Sequence, residues 1–166
     1  IYPGVPAQNL REFIAYAKAN PGKINYGSAG PGTPQNIACE LFKMMAGVDL
    51  VHIPYRGGAP ATTDLVGGHV KVGFNPIPVS RAALEGKLIR ALAGTSLQRS
   101  TYLPDLPTVS ESGLPGFDAV LTYGLVAPAG TPKDKLAELS SWFAAALAAP
   151  ESKTKLARSE ERRVGK

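Results

Sequence analysis

The chain has 166 residues, 44% hydrophobic and 19% charged, a globular composition that excludes a disordered chain and suits one domain, or one plus pieces of another. The net charge is +5, but six of the 18 basic residues (Lys153, Lys155, Arg158, Arg162, Arg163, Lys166) fall in 151–166 against Glu151, Glu160 and Glu161. That leaves twelve basic and ten acidic residues in 1–150, with no basic stripe interleaved with aromatics, so no nucleic-acid partner is expected.

Ile1-Tyr2-Pro3, without Met or a leader, reads as the start of a piece of a longer protein, and no run reaches the length of a membrane span. Residues 8–20 read as a helix, with Leu10, Phe13, Ile14 and Ala17 as its apolar stripe and Asn20-Pro21-Gly22 as its stop. Three units then run from an apolar β-like segment through a Gly/Pro-rich loop into a helix. The strands are Ile24–Tyr26, Leu50–Ile53 and Val70–Phe74. The helices run from Thr33-Pro34 to about Met45 with Ile37, Leu41 and Met44 inward, then over Ala59–Val66 and Val79–Glu85. Lys87–Thr95 is apolar enough to be a fourth buried strand.

Alternating strands and helices predict a doubly wound parallel α/β layer. Residues 96–118, rich in Pro and Gly, read as an irregular connection with one helical turn at Val109–Ser112. Val120–Val126 is strand-like. Thr131-Pro132-Lys133-Asp134 then caps an amphipathic helix to Ala149, with Leu136, Leu139, Phe143 and Leu147 on one face. The charged end, 158–166, reads as an appended tail foreign to the fold.

Parallel strands send all three loops to one edge of the sheet, where helix N-termini with free N–H groups hold anions. The first loop offers Ser28, Gly30, Gly32, Thr33, Gln35 and Asn36: glycines for close approach and uncharged donors that suit a carboxylate. By itself it is equally an ordinary strand-to-helix turn. It lacks the lysine of a phosphate loop and the third glycine of a dinucleotide fingerprint, and no cofactor is expected. The second loop joins a phenol, a cation and two glycines in Tyr55, Arg56, Gly57 and Gly58. Arg56 could pair with a carboxylate, bond loop carbonyls or stand in solvent. The third loop begins at Asn75.

His52 reads as a packed core residue and His69 as a turn residue. With no acidic or cysteine partners at ligand spacing they make no metal site. Cys39, the single cysteine, reads as a buried helix thiol. No serine lies in a Gly-x-Ser-x-Gly elbow, so an enzyme reading has no support in the sequence.

On these loops the chain resembles the substrate-binding proteins of tripartite tricarboxylate transporters, the Bug family. The resemblance is carried by Lys23-Ile24-Asn25-Tyr26-Gly27-Ser28-Ala29-Gly30-Pro31-Gly32-Thr33, Glu40-Leu41-Phe42-Lys43 and His52-Ile53-Pro54-Tyr55-Arg56-Gly57-Gly58. Leu106-Pro107-Thr108-Val109-Ser110-Glu111-Ser112-Gly113-Leu114-Pro115-Gly116-Phe117 and Leu125-Val126-Ala127-Pro128-Ala129-Gly130-Thr131-Pro132 extend it. Asn36 and Asn75 depart from it, standing where His and Asp are common.

The resemblance implies an α/β fold of the type II periplasmic-binding-protein kind, with a parallel doubly wound sheet, one near-complete lobe and part of a second. Residues 1–21 would be a helix and connection from the first lobe, 22–120 the ligand-binding lobe, 121–157 the return to the first lobe, and 158–166 a non-native tail. The implied function is a non-catalytic periplasmic receptor that captures a small organic carboxylate for membrane permease subunits. Its ligand residues would be Ser28, Gly30, Gly32, Thr33, Gln35, Asn36, Tyr55, Arg56, Gly57, Gly58 and Asn75. A metabolite-sensing module and an α/β hydrolase or transferase are the alternatives.

Overall fold

Asn9 opens the first helix, α1 (Leu10–Ala19): its side chain accepts from the Glu12 N–H, while the Glu12 carboxylate accepts from Gln8 N and Asn9 Nδ2. Leu10, Phe13 and Ala17 are buried, as their spacing predicts. The computed structural model describes residues 1–121 and 124–152, divided into two compact units, Ile1–Val120 and Leu121–Lys166.

In the first unit, β1 (Ile24–Ser28) is the centre of a three-stranded sheet of order β2-β1-β3. It pairs in parallel with β2 (Leu50–Pro54) from Ile24↔Leu50 to Ser28↔Pro54, and with β3 (Val72–Gly73) at Tyr26↔Val72 and Gly27↔Gly73. The helix α2 (Pro34–Ala46) joins β1 to β2, and α3 (Gly58–Val66) joins β2 to β3 on the other side of β1. Right-handed crossovers that leave in opposite directions put their helices on opposite faces of the sheet. Two separate apolar clusters agree. Phe13, Tyr26, Phe42, Leu50 and Val72 pack together on one side. Leu65 of α3, Val70, Ile89 and Ala83 of α4 (Ile77–Glu85) pack on the other.

The sheet forms as predicted except at its third strand, which shrinks from Val70–Phe74 to two residues, although Lys71 N still donates to Asn25 O. Lys87–Thr95 is not a strand. Arg90 exchanges backbone bonds with Ile1 (2.8 and 2.6 Å), and Gly94 makes an isolated bridge to Thr108. Ladder bonds at separated points, after a left-handed Lys87 (φ 55°), cannot build a continuous strand. Val109–Ser112 is a hydrogen-bonded turn without a helix.

The buried face of α2 also differs from its predicted one. Ala38, Cys39, Phe42 and Ala46 point inward, while Ile37 and Met44 are 60% and 74% exposed and Leu41 is half-buried. The i, i+4, i+8 row Ala38-Phe42-Ala46 wins because Phe42 enters an aromatic cluster with Phe13, Phe74 and Phe117, at centroid distances of 6.2, 5.6 and 6.5 Å.

The second unit contains α5 (Lys133–Ala148), none of whose residues is buried; Leu136, Leu139, Phe143 and Leu147 all remain exposed. The strand expected over Val120–Val126 includes 122 and 123, which lie outside the described residues, and its described residues carry no strand. The tail expected at 158–166 also lies outside them.

Candidate functional site

The three strand-to-helix loops leave the same edge of the sheet because all three strands are parallel. A Cβ placed at Gly30 would stand 3.6 Å from the Tyr55 carbonyl oxygen, so the first two loops are neighbours. A Cβ at Gly58 would stand 3.7 Å from both Gln35 Nε2 and Val79 Cγ1. The first turns of α2, α3 and α4 therefore meet around Gly58.

The first N–H groups of a helix have no partner within it. Gln35 and Asn36 in α2, Gly58 and Ala59 in α3, and Ile77 in α4 donate to no other group among the described residues. Gly57 leads into α3 at φ +121°, a conformation that a side chain would strain, with open space where a Cβ would go. Arg56 is exposed beside it and makes no hydrogen bond or ion pair among the described residues; the Gln35 side chain likewise has no partner. This edge presents backbone donors, a carboxamide and a guanidinium.

The other expected residues serve the frame. Ser28 is fully buried: its Oγ lies 2.7 Å from His52 Nε2, accepts from Gly30 N and reaches Gly30 O, both at 3.1 Å. Thr33 Oγ1 donates to Gly30 O at 2.7 Å. Neither hydroxyl is left to a ligand, in contrast to the expectation that both donate to it. Asn36 Oδ1 accepts from Gly32 N and its Nδ2 donates to Tyr26 Oη, so its side chain ties the loop to the sheet. Tyr55 Oη donates to Asp64 at 2.6 Å; desolvation and then this bond push the phenol up to about 12. The Tyr55 hydroxyl is thereby engaged inside the lobe.

Asn75 Nδ2 donates to Thr62 Oγ1 (3.2 Å), which donates to Gly58 O (2.9 Å), while Asn75 Oδ1 is buried without a partner. Asn75 thus braces the start of α3 through Thr62. Thr62→Val leaves both ends of the buried carboxamide unpaired, and a loss of about 1–3 kcal/mol in urea unfolding is expected. A negligible change would mean that the amide finds another partner.

Spacing in the sequence did not disclose Thr62, Tyr26, Glu40 or His52. Tyr26 Oη donates to Glu40 at 2.7 Å, and that bond above all holds the Glu40 carboxyl below its ordinary range. The signal that could have found His52 is strand alternation: with Tyr26 opposite His52, residues 26, 28 and 52 share one face. Burial pushes the Cys39 thiol up, as befits an unreactive core thiol. Among the described residues no three His, Cys, Asp or Glu side chains could hold a metal, and no helix is long and apolar enough to cross a membrane. A separate cleft of about 360 Å³, lined by Ala91, Tyr102, Leu103, Pro104, Asp105 and Leu106, is mainly apolar and its ionisable carboxyl would repel an anion.

A doubly wound parallel sheet whose glycine loops and helix starts meet at one edge is the α/β arrangement that this chain shares with solved periplasmic binding proteins. The chain belongs to the tripartite tricarboxylate transporter receptor family (TctC), whose sequence model matches residues 1–162 and so runs into the charged end of the chain. It is 39% identical over 145 residues to the "UPF0065 protein in tcbD-tcbE intergenic region" of Pseudomonas sp. (strain P51), covering 87% of this chain and 43% of that protein. A Rhodopseudomonas palustris protein solved with adipate superposes with a TM-score of 0.87 at 34% identity, over 94% of this chain and 52% of its own. MatC from Rhodopseudomonas palustris, solved with bound malate, gives 0.78 at 30% identity, over 92% and 52%. The chain thus spans about half the length of these relatives. The family is one of solute-binding receptors, not enzymes.

Proposed function

We propose that this chain is the carboxylate-holding lobe of a periplasmic receptor that delivers a small dicarboxylate to the permease subunits of a tripartite tricarboxylate transporter. The observation that carries the reading is the meeting of three helix starts around Gly58, with five N–H groups, the Gln35 side chain and Arg56 that have no partner among the described residues. Backbone donors neutralise a carboxylate without a buried cation, and Arg56 adds a charge at the rim. Gly30, Gly32, Gly57 and Gly58 keep the approach open, while Ser28, Thr33, Asn36, Tyr55 and Asn75 shape the wall behind it. Adipate and malate in the solved relatives are the class of ligand such a donor set fits. A neutral Asn75, with no acid in its place to hold an ammonium, favours a plain carboxylate over an amino acid.

Calorimetry on the receptor that carries this sequence tests the reading. Adipate, malate or a close dicarboxylate binds, and amino acids bind much more weakly. Tight binding of an amino acid with none of the dicarboxylates would overturn it. Arg56→Ala is expected to weaken dicarboxylate binding about 10–100-fold, equivalent to about 1.4–2.7 kcal/mol, with the thermal midpoint unchanged. Unaltered affinity would remove Arg56 from the site.

A further inference from the structure

Half-buried behind the first loop is a histidine that the carboxylate reading above does not use. We propose that His52 is a positioning residue for that loop: through the Ser28 hydroxyl it fixes Gly30, and so sets the N-terminal donors of α2 toward the ligand. The inference rests on the proposed carboxylate site and adds a residue that touches no ligand.

The geometry is one of hydrogen-bond accounting. A hydroxyl has one proton and two lone pairs. Ser28 Oγ, fully buried, faces three groups: Gly30 N and Gly30 O at 3.1 Å each and His52 Nε2 at 2.7 Å. If His52 presents an N–H at Nε2, the hydroxyl accepts twice and keeps its proton for Gly30 O. All three contacts of the hydroxyl are then hydrogen bonds, and both polar atoms of Gly30 are tied to β1. If Nε2 presents a lone pair instead, the Ser28 proton turns to it and Gly30 O loses that donor. Gly30 has φ +128°, a region that glycine enters freely, so its bonds select this conformation among several open to it, and its carbonyl is also the anchor for Thr33 N and Oγ1 at the start of α2.

The imidazole is itself held. Its ring stacks on Tyr26 with centroids 4.8 Å apart and planes 16° apart. Tyr26 Oη in turn bonds Glu40 and Asn36, and Asn36 Oδ1 receives Gly32 N at 3.0 Å. The loop is thus pinned from beneath at two points, Gly30 through Ser28–His52 and Gly32 through Asn36–Tyr26.

Three variants of the complete receptor separate a positioning role from simple packing: His52→Phe keeps a ring against Tyr26 but has no Nε2, His52→Gln supplies a side-chain N–H, and Ser28→Ala removes the link from the other side. Adipate and malate affinity by calorimetry is read beside hydrogen exchange of the amides at 29–33 without ligand. His52→Phe and Ser28→Ala are expected to weaken binding about tenfold and to speed exchange in 29–33, while His52→Gln recovers to within about threefold of the parent. Ser28→Ala carries the test alone if His52→Phe does not fold. Unchanged exchange and affinity in His52→Phe or Ser28→Ala, or no recovery in His52→Gln, overturns the proposal. If the parent binds neither acid, the carboxylate reading falls, and the exchange pattern of the same variants still decides whether His52 positions the loop.

Discussion

Phe42→Ala is expected to remove about 3–5 kcal/mol from the unfolding free energy of the 166-residue chain, while Met44→Ala, two residues along the same helix, changes it by less than about 0.5 kcal/mol. Phe42 is 1% exposed, whereas the Met44 side chain stands in solvent. Truncating Phe42 takes the shared neighbour from Phe13, Phe74 and Phe117, which belong to α1, the β3 loop and the 109–117 turn. A cavity among groups from four parts of the chain cannot close by a local shift, so the loss falls at the large end of the range. Urea unfolding of both variants decides which face of α2 is the core face. The reverse order of effects would restore Ile37, Leu41 and Met44 as the inward row.

The elements legible in the sequence were those whose signals are local. The stripe of α1, the β1 and β2 segments, the Pro- and Gly-marked loop ends and the starts of α2 and α3 all follow from neighbouring residues. The site edge was legible for a related reason: once the strands are parallel, the loops have one side on which to emerge. Lys87–Thr95 misled because an apolar run promises burial and not a ladder. Ile89 is indeed buried, yet the backbone around it pairs at separate points with Ile1 and Thr108.

By itself, then, the sequence determined an α/β chain with glycine-rich strand-to-helix loops, and the family whose pattern it carries. Tertiary structure alone decided which row of α2 faces inward and which loop donors remain free. Helical periodicity offers two apolar rows on α2, and the aromatic residues that choose between them come from far along the chain. A serine or tyrosine has the same hydroxyl in any sequence. Whether a ligand or a half-buried His52 or Asp64 takes its hydrogen bond depends on what the neighbouring strand and helix bring within about 3 Å.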